Sequence, residues 1–121
     1  MSTPMIANLE KLLGGPRDGA LLRFSLGNAW LAFDAARAAA YYRDAVERDP
    51  AYSAAWKGLG KALEAAGQAR EAVAAWQQGI AAAEAKGDIQ AAKEMKVFAR
   101  RLGKTLAGPD EGGAAGPADR A

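Results

Sequence analysis

Residues 26 to 84 carry an internal repeat, and an internal repeat constrains a fold more than any composition does. The segment from Leu26 to Pro50 realigns with the segment from Leu59 to Glu84. Ala38 and Ala72 are 34 residues apart, as are Tyr42 and Trp76, and Ala45 and Gly79. Earlier in the unit the step is 33, pairing Leu26 with Leu59, Gly27 with Gly60 and Trp30 with Leu63. The missing residue falls in the internal turn, which reads AAGQA around Gly67 in the second copy and AFDA around Asp34 in the first.

Each copy reads as two helices. Ala supplies 32 of the 121 positions. Ala is the best helix former and a weak core filler, so closely packed helices are expected. Gly27 and Gly60 each follow a Leu in mid-helix, where Gly costs about 1 kcal/mol relative to Ala. A helix accepts that cost where a second helix must come close. Ala38, Ala45, Ala72 and Gly79 are the small residues expected to face them. Trp30, Tyr42, Trp56 and Trp76 are expected to fill the spaces between, as interior packing requires.

On these residues the chain resembles the tetratricopeptide repeat family. Trp56, Leu59, Gly60 and Leu63 match that family's W-x2-L-G-x2-Y pattern, with Leu in place of Tyr, and Ala72, Trp76 and Gly79 match its second helix. Leu26, Gly27, Trp30, Ala38, Tyr42, Ala45 and Pro50 do so in the first copy, with Arg23 where the family has Trp. The resemblance implies an all-α superhelix of helix-turn-helix repeats, about six helices with caps at both ends.

The flanks read as those caps. Thr3-Pro4 is an N-cap followed by Pro at the first helical position. Met5, Ile6, Leu9, Leu12 and Leu13 form a stripe that predicts a helix over 4–13, ended by Gly14-Gly15-Pro16. Near the other end Gly87 stops a helix and Asp88 caps the next. Ile89, Ala92, Met95, Phe98 or Ala99, Leu102 and Leu106 form one amphipathic stripe, and Gly108-Pro109 closes it. The division expected is a capping helix and linker over 1–17, two hairpins over 18–86, a closing helix over 87–106 and a disordered tail over 107–121. Residues 1–106 hold 15 basic and 11 acidic side chains, a balance of +4.

Several functions are excluded or disfavoured. Without Cys or His there is no disulfide, no thiolate or imidazole metal ligand, and no Ser–His or Cys–His pair. No phosphate-cradling loop is present. Asp34, Asp49 and Asp88 sit at turns and helix starts, where structure explains them. The expectation is no enzyme, no metal and no cofactor. The start of the chain has no basic flank before an apolar run, and no stretch reaches the ~20 apolar residues of a membrane span. The expected location is the cytoplasm.

The resemblance implies a concave groove lined by the first helix of each unit, binding a peptide segment of a partner protein. Its positions here hold Phe24, Ser25, Asn28 and Leu31 from the first unit, and Lys57, Lys61 and Glu64 from the second. Met95 and Phe98 are their expected counterparts on the closing helix. Asn28 stands where some members place an Asn of a carboxylate clamp, with Phe24 where the clamp has Lys. Asn28, Lys57 and Lys61 could hold an acidic or C-terminal carboxylate group. Lys93, Lys96, Arg100, Arg101 and Lys104 make the closing helix basic and form a candidate polyanion edge. Nucleic acid is the alternative partner there, although base-stacking aromatics are sparse. Self-association through imperfect caps is a third reading, giving a monomer or a weak homo-oligomer.

Overall fold

The computed structural model describes residues 3–107 as six helices in sequence, with no strand among them. They are α1 (Pro4–Glu10), α2 (Ala20–Trp30), α3 (Ala35–Arg48), α4 (Ser53–Ala65), α5 (Ala69–Ala85) and α6 (Ile89–Ala107). Each helix packs against the next, and α4 also touches α2 and α6. The helices α2 and α3 form one antiparallel pair and α4 and α5 the second. This is the all-α repeat architecture expected from the sequence. The stretch expected to be disordered lies, beyond Ala107, outside the described residues.

Local signals set the ends of these helices. The Thr3 hydroxyl accepts from the Ile6 N–H, and Pro4 follows at the first position. Asp34 accepts from the Arg37 N–H and so caps α3. Asp88 accepts from the Ala91 N–H at the start of α6, while its other oxygen accepts from the Ser53 hydroxyl. That second bond ties the start of α6 to the start of α4 and satisfies a buried polar side chain. Gly67, at φ +84°, makes the turn between α4 and α5, a conformation that L side chains rarely adopt. The shorter first copy turns through Leu31-Ala32-Phe33 instead, with the Phe33 and Asp34 N–H groups both donating to the Trp30 carbonyl.

Two corrections concern the caps. The first helix stops at Glu10 rather than running to residue 13. The Leu12 and Leu13 N–H groups reach back only three residues, and the chain tightens into turns before Gly14. The Gly14 N–H then donates to Asp18, which draws the chain towards α2. The apolar stripes also bury only in part: Ile6, Ala92, Met95 and Leu102 are buried, while Met5, Leu12, Ile89 and Leu106 are exposed.

The pairs nest through glycine. Gly27 and Gly60 are both buried. A methyl carbon built on Gly27 would lie 2.7 Å from the Tyr42 ring, and one on Gly60 would fall on the Trp76 indole. Gly79 leaves room in the same way for the Trp56 Cβ and the Met95 sulfur. Gly58 was not anticipated, and a methyl carbon built there would likewise fall on the Tyr42 ring. That ring therefore meets the bare backbones of both α2 and α4. Tyr42 and Trp76 are among the largest fully buried side chains. The Trp76 indole N–H also donates to the Lys57 carbonyl at 3.2 Å.

Polar ties hold the N-terminal elements. One Glu10 oxygen accepts from both the Trp30 indole N–H and the Tyr41 hydroxyl, pinning α1 to the first pair. Arg23, which departs from the repeat pattern, bonds Asp18 and Asp44, each at 2.8 Å. The Arg23 guanidinium and the Gly14 N–H hold the Asp18 carboxyl well below the usual carboxylate range. Trp56, the counterpart of Arg23, donates from its indole to the Pro50 carbonyl. Both residues thus anchor the chain segment that enters their own helix, by different chemistry.

Gly60→Ala is expected to lower stability by roughly 1–3 kcal/mol in urea denaturation, because the clash with Trp76 outweighs the gain in helix propensity. Gly103→Ala, with open space around it, is expected to raise stability by roughly 0.5–1 kcal/mol. A second expectation follows from Asp18. Its depressed folded pKa gives stability that is present above the unfolded carboxylate value of about 4 and is lost as pH falls further. The melting-temperature gap between the wild type and Asp18→Asn should therefore stay level from pH 7 to 5 and narrow from pH 4 to 2.5. A gap constant throughout would show that the carboxylate carries no such linkage.

Candidate functional site

The first helices of successive units touch in turn, α2 on α4 and α4 on α6, and Lys57 and Lys61 of α4 reach Glu94 and Phe98 of α6. At the α2 end, Phe24 is half-buried, with its ring 4.9 Å from Tyr52 and 5.9 Å from Tyr42. Both neighbours fix its position, so Phe24 is a held apolar surface rather than a loose side chain. Asn28 is exposed, and its Oδ1 accepts from the Tyr42 hydroxyl. Burial pushes that hydroxyl up to about 12, so it stays protonated and keeps donating. The bond leaves the Asn28 amide N–H groups for a ligand. Ser25 is half-buried beside Phe24, and Leu31 packs partly against the core just beyond the end of α2.

The middle of the surface differs from a simple pair of cations. Lys57 donates to Glu94 of α6 at 2.7 Å, and Gln90 donates to the same carboxylate. Those two contacts hold Glu94 below the usual carboxylate range. Lys57 is therefore already neutralised. Lys61 lies 5.2 Å from the centre of the Phe98 ring, and Arg101 lies 5.9 Å from it. Phe98 in turn packs on Trp76 at 5.4 Å. Glu64 is exposed and lines a small hollow of about 70 Å³ with Trp76, Phe98, Arg101, Leu102 and Thr105.

The closing helix corrects one expectation. Met95 is fully buried against Gly79 and takes no part in the surface. Ser53 and Ile89 both begin helices, a step of 36, and the same step carries buried Leu59 onto buried Met95. It carries Lys57, Lys61 and Glu64 onto Lys93, Val97 and Arg100, all exposed. The helix α5, at 17 residues against 14 in α3, carries the extra length that hid this register from the 34-residue period. Of the basic residues on α6, Lys96 pairs with Glu84 at 2.7 Å and Arg101 flanks Phe98. Lys93, Arg100 and Lys104 have no acidic partner at ion-pair distance among the described residues.

A larger cleft of about 450 Å³ lies between α3 and α5, floored by Trp56, Leu59 and Leu63 of α4 and rimmed by Arg43 and Glu71. The sequence pattern gave no sign of it, since it depends on the separation of two second helices that do not touch. Among the described residues, no group of three or more acidic side chains gathers to hold a metal. No described helix is long and apolar enough to cross a membrane.

No family model matches the chain. It is 56% identical over 99 residues to TPR repeat-containing protein PA0015 of Pseudomonas aeruginosa, covering 81% of this chain and 94% of that protein. Its structure is similar to the solution structure of protein BPP2914 from Bordetella parapertussis, with a TM-score of 0.73 and 40% identity. That match covers 87% of this chain and 92% of the other. A tetratricopeptide repeat domain protein from Salinibacter ruber matches with a TM-score of 0.65 and 30% identity, covering 72% of this chain and 88% of that one.

Proposed function

The chain belongs to the tetratricopeptide repeat family, and from that premise we propose that it is a non-catalytic adaptor that takes a peptide segment of a partner protein. The fold generally mediates protein–protein interaction. The segment lies across α2, α4 and α6, touching Phe24, Ser25, Asn28 and Leu31 at one end and Lys61 and Glu64 further along. Residues 18–86 act as the two repeats, with 1–17 and 87–106 as caps. The adaptor works in the cytoplasm without a cofactor.

The observation that carries this reading is Phe24. An aromatic ring held half-exposed by Tyr42 and Tyr52, beside an amide oriented by Tyr42, offers an apolar seat and a hydrogen-bond donor together. Fixed side chains of this kind lose little entropy on binding. Lys57 contributes less than its charge suggests, because Glu94 must first release it.

Affinity purification with the wild type and with a Phe24→Ala, Lys57→Glu, Lys61→Glu variant tests this. Loss of specific partners by the variant is expected; identical partner sets would remove this surface from the account. A second reading rests on Lys93, Arg100 and Lys104, which share one side of α6 without acidic partners among the described residues. A polyanion docked there should lose affinity steeply as salt rises. Filter binding with single-stranded and duplex probes at low salt would show it, and a flat titration would dispose of it.

A further inference from the structure

We infer that the open cleft between α3 and α5 is a second docking surface, and that it takes one amphipathic helix of a partner protein, acidic on one flank and basic on the other. The inference goes beyond the adaptor reading and does not depend on it. None of the residues lining the cleft belongs to the surface across Phe24, Asn28 and Lys61.

The fold supplies the template for such an occupant. The helix α4 packs against both α3 and α5, which do not touch each other. It bridges the two from the inside, while on the outside the gap stays open as a cleft of about 450 Å³. A helix seated there would repeat from outside the contacts that α4 makes from within. Trp56, Leu59 and Leu63 form the floor, at steps of three and four along α4. At 1.5 Å per residue that row is about 10 Å long, or two helical turns. The Trp56 indole N–H is taken by the Pro50 carbonyl, so its half-buried ring offers the cleft apolar surface alone. Ala74 lines the α5 wall, and its short side chain lets a second backbone come close. Apolar side chains recurring at three and four over two turns of a helix match this floor.

The rims specify the flanks. Arg43 stands exposed on the α3 side and Glu71 exposed on the α5 side. Neither has an oppositely charged partner at ion-pair distance among the described residues. A helix lying along the floor therefore meets a cation on one flank and an anion on the other. Complementary rim charges select it, and like charges reject its rivals. A second copy of this chain fits less well, because one cleft laid on another leaves a void where close packing is needed.

Fluorescence anisotropy on the full chain tests this with three labelled peptides of about 18 residues, long enough to hold helical structure. All carry the same Leu stripe. One has Glu on one flank and Lys on the other, one has Glu on both, and one has Lys on both. The wild type should bind the mixed peptide about fivefold more tightly than either of the others. R43E makes both rims acidic and should transfer the preference to the all-Lys peptide. A74W sets an indole in the cleft and should weaken binding of the mixed peptide about tenfold, with circular dichroism and thermal melting showing that the chain is folded. The Phe24→Ala, Lys57→Glu, Lys61→Glu variant controls for net charge and should keep the wild-type preference. No measurable binding, equal affinity for the three peptides, or binding indifferent to both R43E and A74W would overturn the inference. So would loss of binding in the triple variant, which would assign the peptides to the adaptor surface. A wild-type dimer in sedimentation that A74W dissolves would give the cleft to a second copy, and would overturn it as well.

Discussion

The contact between a bare helix backbone and an aromatic ring is the constraint on which the rest of this structure depends. Tyr42 of α3 lies against Gly27 of α2 and Gly58 of α4, so one ring joins a helical pair to the next. Trp76 repeats the arrangement on Gly60 within the second pair, and Met95 of α6 follows on Gly79. A chain a quarter Ala has few large residues to fill space. It reaches interior density by bringing backbones close and inserting a few wide rings. Any Cβ at these glycines would push the helices apart and loosen contacts further along.

The same rings that close the core also shape the outer surface. Tyr42 is buried, yet its hydroxyl orients Asn28 and its ring supports Phe24. Trp76 is buried, yet it supports Phe98, around which Lys61 and Arg101 gather. The exposed groups that could meet a partner are thus one contact away from the core. Such groups are held in place by packing, which is what preorganised recognition needs. Phe24 makes the α2 end of this face apolar, and Lys61 and Arg101 make the α6 end cationic.

Much of the fold was legible because the repeat places small and large residues at fixed steps. Gly27, Gly60, Trp76 and Tyr42 stood out for that reason. Gly58 did not, since its counterpart in the first copy is Ser25 and it belongs to no shared pattern. The Asp18–Arg23–Asp44 cluster joins a loop and two helices, and nothing in the spacing of three charges announces their meeting. The pairing of Lys57 with Glu94 was hidden for the same reason. Met95 was misplaced because the step between the last two units is 36 rather than 34. Register read from a repeat holds only while its helices keep their length, and α5 is 17 residues where α3 is 14.

The most direct test of the nesting is a double-mutant cycle between Gly27 and Tyr42, read by urea denaturation. Gly27→Ala should destabilise the chain when Tyr42 is present. In a Tyr42→Leu background the same change should cost little or should stabilise, giving a coupling of about 1 kcal/mol or more. An equal cost in both backgrounds would contradict the account, since the ring would then have no part in what Gly27 makes room for.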